Sequence, residues 1–68
     1  MKLREAREKA GLNQRELAER MHVPQSLVSW VETGRMRPWR TFMEKAAEAL
    51  GLSEEELFPE MKGDEQIV

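Results

Sequence analysis

NQRELAERMHVPQSLVSWVETG, residues 13–34, is the segment of this 68-residue chain that most constrains its architecture. It begins with Asn13, followed three residues later by Glu16, a capping-box pattern that marks the start of a helix. The apolar residues that come next recur at the spacing of one helix face, namely Leu17, Ala18 and Met21. The sequence therefore predicts a short helix that begins after Asn13.

A second helix is predicted directly after the first. Pro24 suits the first position of a helix, because its fixed φ is helical and its missing N–H would be unpaired there. Val28 and Val31 form an inward-facing stripe, and Gly34 ends the helix. His22 occupies the turn, and histidine is among the residues that tolerate a positive φ. Two short helices joined by such a turn form a helix-turn-helix, a motif that places its second helix in a DNA major groove.

The capping-box pattern recurs twice toward the carboxyl end of the chain. Thr41 with Glu44 predicts the start of a fourth helix, which ends at Gly51, and Ser53 with Glu56 predicts a short fifth helix. Before the first pattern, apolar residues at helical spacing predict a helix over about residues 2–10. No stretch alternates as a strand does, so the predicted fold class is all-α. It has five short helices, with the helix-turn-helix at helices 2 and 3.

Charge is distributed unevenly along the chain. Residues 1–52 carry ten Lys and Arg against seven Glu, a net +3, while residues 53–68 carry one Lys against six acids, a net −5. We predict one domain over residues 1–58 and an acidic, flexible tail over residues 59–68. Although the whole chain has a net charge of −2, its domain is mildly basic, as a partner of nucleic acid would be.

Composition excludes several functional classes. The chain has no Cys, so it offers no disulfide and no thiolate metal site. His22 is the only His and Asp64 the only Asp, so no catalytic constellation can be assembled, and we expect no enzyme activity, no cofactor and no metal. No apolar run approaches the roughly 20 residues needed to span a bilayer. We therefore expect no membrane partner and a cytoplasmic location.

Three segments match, in order and spacing, a known family of DNA-binding proteins. They are GLNQRELA at residues 11–18, VSWVETG at residues 28–34 and AEALGLS at residues 47–53. With them the chain resembles the phage repressor and Cro type of helix-turn-helix protein, the XRE family, over about residues 2–58. The resemblance implies a lambda-repressor-like domain whose partner is double-stranded DNA.

The resemblance also implies which residues contact DNA. In that family the residue at Gln14 contacts the DNA backbone, and the start of the third helix supplies the base contacts. Carried over to this chain, the base-reading residues are Gln25, Ser26, Ser29 and Trp30. Helical geometry agrees, because these positions fall on the side opposite Val28 and Val31. A glutamine can pair with adenine N6 and N7, and a serine can bond several base edges or phosphates.

Basic residues that follow the third helix are the expected phosphate contacts, with Thr33 assisting: Arg35, Arg37 and Arg40. The resemblance further implies a salt bridge between Arg7 and Glu32 behind the third helix. A basic partner would offset the unfavourable effect of an acid near a helix carboxyl end.

Trp30 stands where the family usually has a polar or basic residue. Three interpretations remain open: it turns inward to the core or a dimer seam, it contacts bases through stacking, wedging or a thymine methyl, or it binds a protein partner. Trp39, which precedes the fourth helix, is expected to cover the core.

These features predict a sequence-specific transcriptional regulator, a repressor that acts at the nucleoid and binds a palindromic operator as a homodimer. The residues expected at the dimer interface are Leu52, Leu57, Phe58 and Met61. The alternative is a protein-interaction module, an antitoxin or adaptor, in which the tryptophans and the acidic tail bind a regulatory protein partner.

Overall fold

The computed structural model describes residues 1–61, which form five α-helices followed by a 3₁₀ turn. In chain order these are α1 (Leu3–Lys9), α2 (Gln14–Met21), α3 (Gln25–Glu32), α4 (Arg40–Leu50), α5 (Glu54–Leu57) and the turn Pro59–Met61. Within the described residues there is no strand, so the predicted all-α fold with five short helices is confirmed. None of these helices is long and apolar enough to cross a membrane.

The predicted acidic tail begins as ordered structure. Residues 59–61 form the 3₁₀ turn, and Met61 packs half-buried against the core. The packed unit therefore extends three residues beyond the predicted boundary at residue 58. The rest of the predicted tail, residues 62–68, lies outside the described residues.

One apolar core joins the helices. The helix α2 packs on α3 and α4, and α4 packs on α1 and α5. Phe42 lies at the centre of the aromatic contacts, with its ring centroid 5.1 Å from that of Trp39 and 6.5 Å from that of Phe58. Val28 and Val31 are both 0% exposed. The helix α3 is therefore fixed to the domain through these two residues, and its opposite side remains outside the core.

Two of the predicted capping boxes are confirmed. At α2 the Glu16 N–H donates to Asn13 Oδ1 at 2.7 Å, and the Asn13 N–H donates to Glu16 Oε1 at 2.8 Å. At α5 the same reciprocal pair joins Ser53 and Glu56. The turn between α2 and α3 also has the predicted left-handed residue, since His22 has φ 60° and ψ 44°.

The capping box predicted at Thr41 and Glu44 is wrong. The helix α4 begins at Arg40, after Trp39 as its N-cap, and the Met43 N–H donates to the Trp39 carbonyl at 2.9 Å. Thr41 and Glu44 therefore both lie inside the helix. With Trp39 as the N-cap, the helix starts one residue before Thr41. The Trp39 ring packs on the buried Phe42, so the prediction that Trp39 covers the core is confirmed.

The start of α3 also differs from the prediction by one residue. Pro24 has ψ 146°, an extended conformation, so it is the N-cap and the helix begins at Gln25. No side chain caps this end of α3. The amide donors in the first turn of α3 consequently lack the side-chain acceptor that Asn13 provides for α2.

Candidate nucleic-acid interface

A buried ion pair holds the back of α3. Arg7 Nε lies 2.7 Å from Glu32 Oε2, and Arg7 Nη2 donates to Glu32 Oε1 at 3.2 Å, which makes the contact bidentate. The third donor group, Arg7 Nη1, donates to the Leu12 carbonyl at 2.9 Å. The two side chains are only 9% and 1% exposed. The hydrogen bond to Glu32 raises the pKa of Arg7 against the opposing effect of burial, so the Arg7 guanidinium stays charged at neutral pH.

Gln14 joins the same network. Its side-chain Nε2 donates to Glu32 Oε1 at 3.0 Å, so the first residue of α2 is tied to the last residue of α3. A glutamine amide has two N–H donors and a carbonyl acceptor. The predicted contact of Gln14 with the DNA backbone is therefore compatible with this bond, which uses one donor and orients the side chain.

The predicted base-reading residues lie on the accessible side of α3. Gln25, Ser26 and Trp30 are exposed and Ser29 is half-buried. Residues four apart on a helix lie one above the other. Two rows result, one with Gln25 and Ser29 and one with Ser26 and Trp30. Trp30 is 39% exposed and is not among the fully buried core residues, and the three interpretations of its role stay predictions.

A polar cleft of about 650 Å³ brings the starts of α2 and α3 together. Its lining residues come from α1, α2 with its cap, and α3: Arg4, Arg7, Asn13, Gln14, Arg15 and Gln25. One predicted backbone contact, Gln14, therefore shares a surface with one predicted base-reading residue, Gln25. The cleft combines cationic side chains with residues from the first turns of two helices, and helix starts favour phosphate oxygens.

Arg4 and Arg15 are functional candidates that sequence reasoning missed. Both side chains are exposed and line the cleft. Each lies near an acid four residues later, Arg4 Nε at 3.8 Å from Glu8 and Arg15 Nε at 3.9 Å from Glu19. The spacing of Arg4 and Arg7 is a signal that could have found the first of them, because residues three apart share a helix face.

The other predicted phosphate contacts lie outside this cleft. Arg35 and Arg37 are exposed residues of the loop after α3. Arg40 is exposed in the first turn of α4, with its Nε 3.4 Å from Glu44 Oε2. These three arginines form a second basic region, which we call the basic loop, and which follows α3 directly in the chain.

Thr33 has a structural role that the sequence did not reveal. Its hydroxyl donates to the Ser29 carbonyl at 2.9 Å and lies 3.3 Å from the Trp30 carbonyl, at the carboxyl end of α3. A hydroxyl has one hydrogen to donate. That hydrogen is used by a carbonyl of the helix in this structure, and the contact of Thr33 with the DNA backbone stays a prediction.

Two of the four residues expected at the dimer interface are core residues of the single chain. Leu57 is 0% and Phe58 2% exposed, because α4 and α1 already cover them. Their assignment to an intermolecular surface is therefore corrected. Leu52 is 38% exposed and Met61 is half-buried, so both have surface available to a partner.

Comparison with known proteins supports one family. Residues 1–58 match the family model described as a helix-turn-helix domain. No curated protein and no solved structure matches the chain significantly.

Proposed function

The chain belongs to the helix-turn-helix domain family, and on this premise we propose that it is a sequence-specific transcriptional regulator of the phage repressor and Cro type. The observation that carries the proposal is the accessible side of α3. There, polar side chains suited to base edges stand on a helix whose opposite side is locked by the core and by the Arg7–Glu32 pair. Such a regulator represses by occupying its operator, and it acts in the cytoplasm at the nucleoid.

Base recognition in this proposal starts at the amino end of α3. Gln25 pairs through its amide with adenine N6 and N7, while Ser26 and Ser29 bond neighbouring base edges or phosphates. The first amide donors of α3, which no protein side chain caps, are available to a phosphate oxygen beside the groove.

Phosphate contacts flank α3 on both sides. Arg4, Gln14 and Arg15 contact the backbone at the cleft, and Arg35, Arg37 and Arg40 contact it from the basic loop. The glutamates four residues after several of these arginines are no obstacle, since exposed pairs of this kind contribute little and are screened by salt. Contact of an arginine with a DNA phosphate releases counterions, so the phosphate readily replaces the glutamate as the partner of the arginine.

The proposal includes a homodimer on a palindromic operator, with half-sites about one helical turn apart. Its support is a groove of about 400 Å³ between α1 and the α4–α5 region, which Leu52 borders together with Ala6, Ala10 and Leu50. The rim of the groove carries both signs of charge, with Lys2 and Lys9 beside Glu5 and Glu56. In a dimer with a two-fold axis, the lysines of one copy can face the glutamates of the second copy.

Leu52→Glu tests this interface directly. Placing a carboxylate at the groove should turn a dimer into a monomer in sedimentation velocity experiments and weaken operator binding. Thr41→Glu, an exposed position of α4 that does not line the groove, is the matched control and should remain dimeric. A wild-type protein that binds the full palindromic operator as a single monomer contradicts the homodimer.

Selection of binders from a random duplex library tests the function as a whole. The purified protein at moderate salt should enrich one palindromic sequence, and the spacing of its halves should report the dimer geometry. If a folded protein enriches no sequence, the proposed function is wrong.

A second candidate function is a protein-interaction module, an antitoxin or adaptor built on the same fold. The observation that favours it is the exposure of two large aromatic residues, Trp30 at 39% and Trp39 at 38%. Retention on heparin at low salt separates the two functions. A DNA-binding protein is retained through its basic surfaces, while an adaptor with a pI near 5.4 flows through.

A further inference from the structure

Trp30 is the large, mainly apolar residue among the base-reading residues predicted on α3, where the others are polar. Its side chain is 39% exposed, although tryptophan is largely buried in most folds. Within residues 1–61 the close ring contacts join Trp39 to Phe42 and Phe42 to Phe58, and neither includes Trp30. The ring therefore contributes apolar surface outside the core, next to polar residues.

The backbone at Trp30 is held firmly. Its carbonyl accepts the Arg35 N–H at 2.8 Å and the Met36 N–H at 3.2 Å, and the Thr33 hydroxyl lies 3.3 Å away. These bonds close the carboxyl end of α3 around Trp30. The backbone from which the Trp30 side chain extends is therefore fixed, and recognition of a specific group requires such a rigid support.

The position of Trp30 on α3 sets where it would meet DNA. It stands one turn after Ser26 on the same face, about 6 Å further along the helix axis. Base pairs rise by about 3.4 Å, so Trp30 faces a base pair about two steps from the one that faces Ser26. Gln25 and Ser26 are thereby left to contact polar base edges at the other end of this span, near the amino end of α3.

The chemistry of the ring selects one kind of base edge. An indole offers one N–H donor and no acceptor, and its large apolar face would desolvate polar groups without compensation. In the major groove the C5-methyl of thymine is the apolar group, and the O4 acceptor of the same base is beside it. Thymine therefore presents a methyl for the ring and an oxygen for the N–H.

We propose that Trp30 is a specificity-determining residue that selects thymine at one position of each half-site through its C5-methyl group. This inference rests on the proposed function and deepens it, since it concerns the same surface of α3. Gln25 and the serines read hydrogen-bonding groups, whereas Trp30 reads a methyl group. 5-Methylcytosine offers the methyl part of this contact, because it carries its methyl at the equivalent ring position, but it has an N4 amino donor in place of the O4 acceptor.

Replacement of single thymines by uracil in the selected operator tests the inference, because it removes the methyl and leaves every hydrogen-bonding group in place. Each half-site should contain one thymine whose replacement by uracil weakens wild-type binding about fourfold in fluorescence anisotropy titrations. A fourfold loss is the effect expected when the contact with one buried methyl group is removed. Replacement in both half-sites should multiply the two effects. Cytosine at that position should bind more weakly than 5-methylcytosine by a similar factor.

The variant Trp30→Ala tests the same contact from the protein side. Alanine is a strong helix former and Trp30 lies outside the core, so the variant should keep the wild-type circular dichroism spectrum. Its affinity should no longer distinguish thymine from uracil at that position, while discrimination elsewhere remains. Trp39→Phe, a change at the other exposed tryptophan, should retain the fourfold discrimination.

The outcomes separate this inference from the function on which it rests. If an operator is selected but every thymine can be replaced by uracil without loss, the methyl assignment is wrong while the DNA-binding function stands. If Trp30→Ala keeps the fourfold loss, another residue contacts the methyl and the assignment is likewise wrong. If no duplex binds at all, the proposed function itself fails.

Discussion

The two sides of α3 have opposite properties within eight residues. On the inner side Val28 and Val31 are 0% exposed, and the Glu32 carboxylate accepts hydrogen bonds from α1 and α2. On the outer side Gln25 and Trp30 are exposed. The residues that stabilise the fold and those proposed to contact DNA therefore lie on separate faces of one helix. A substitution on α3 or its partners should therefore affect one property far more than the other.

The largest expected effect comes from removing the buried ion pair behind α3. Arg7→Leu leaves the Glu32 carboxylate buried without its partner, and the free energy of unfolding should fall by about 3 kcal/mol. Urea denaturation measures this. Arg4→Leu, an exposed arginine on the same helix, is the control and should change stability little. An unchanged transition midpoint for Arg7→Leu would mean that the pair does not stabilise the fold.

Adding the second substitution sharpens this test. In the double variant with Arg7→Leu and Glu32→Leu no buried charge is left unpaired, so most of the lost stability should return. If the double variant is less stable than Arg7→Leu alone, the loss comes from packing around Arg7 instead of an uncompensated charge.

On the outer side, Gln25→Ala should leave stability unchanged and reduce binding to the preferred operator by about 1 to 3 kcal/mol. The loss should be confined to sequences with adenine at the contacted position, so selectivity there relaxes. Titrations against operators altered at single base pairs measure both effects. Equal losses on every duplex would contradict a base-reading role for Gln25.

A phosphate contact in the basic loop should behave differently. Arg37→Ala should weaken binding to all duplexes alike and reduce the slope of log K against log salt by about 1. A salt titration of wild type and variant checks the slope. If Arg37→Ala changes sequence preference instead, the division between base-reading and phosphate-binding residues is wrong.

The smallest effect is expected in the turn that sets the angle between α2 and α3. His22 has φ 60°, a conformation that glycine adopts without steric cost, so His22→Gly should raise the free energy of unfolding by up to about 1 kcal/mol. Ala10→Gly, at a right-handed helix end, is the control and should lower it. Thermal unfolding distinguishes the two. Destabilisation by His22→Gly would show that the imidazole makes contacts that outweigh its strain.

Local chemistry explains which parts of the fold were predictable. The capping boxes at Asn13 and Ser53 involve residues three apart, so the sequence contains both partners of each. The start of α4 was not predictable in this way. Thr41 and Glu44 have the same local pattern, but the helix begins at Arg40 with Trp39 as its N-cap, and Phe42 is held in the core by a tertiary contact with Phe58 that no local pattern contains.

The candidate site was predictable for single residues and not for their assembly. The outward positions of α3 follow from helical periodicity, and the structure exposes Gln25, Ser26 and Trp30. The cleft that adds Arg4 and Arg15 depends on how α1 lies against α2 and α3, which no local pattern specifies. The burial of Leu57 was missed for the same reason, because an apolar residue at a helix surface can be covered by its own chain or by a partner.

Amide chemical-shift mapping with the selected operator is the most direct test of the central claim that one side of α3 folds the domain and the other binds DNA. We expect shifts at the start of α2, along Gln25 to Trp30 and in the basic loop, with little change at Phe42, Leu57 and Phe58. Shifts confined to the groove beside Leu52, or none in a folded protein mixed with DNA, would contradict it.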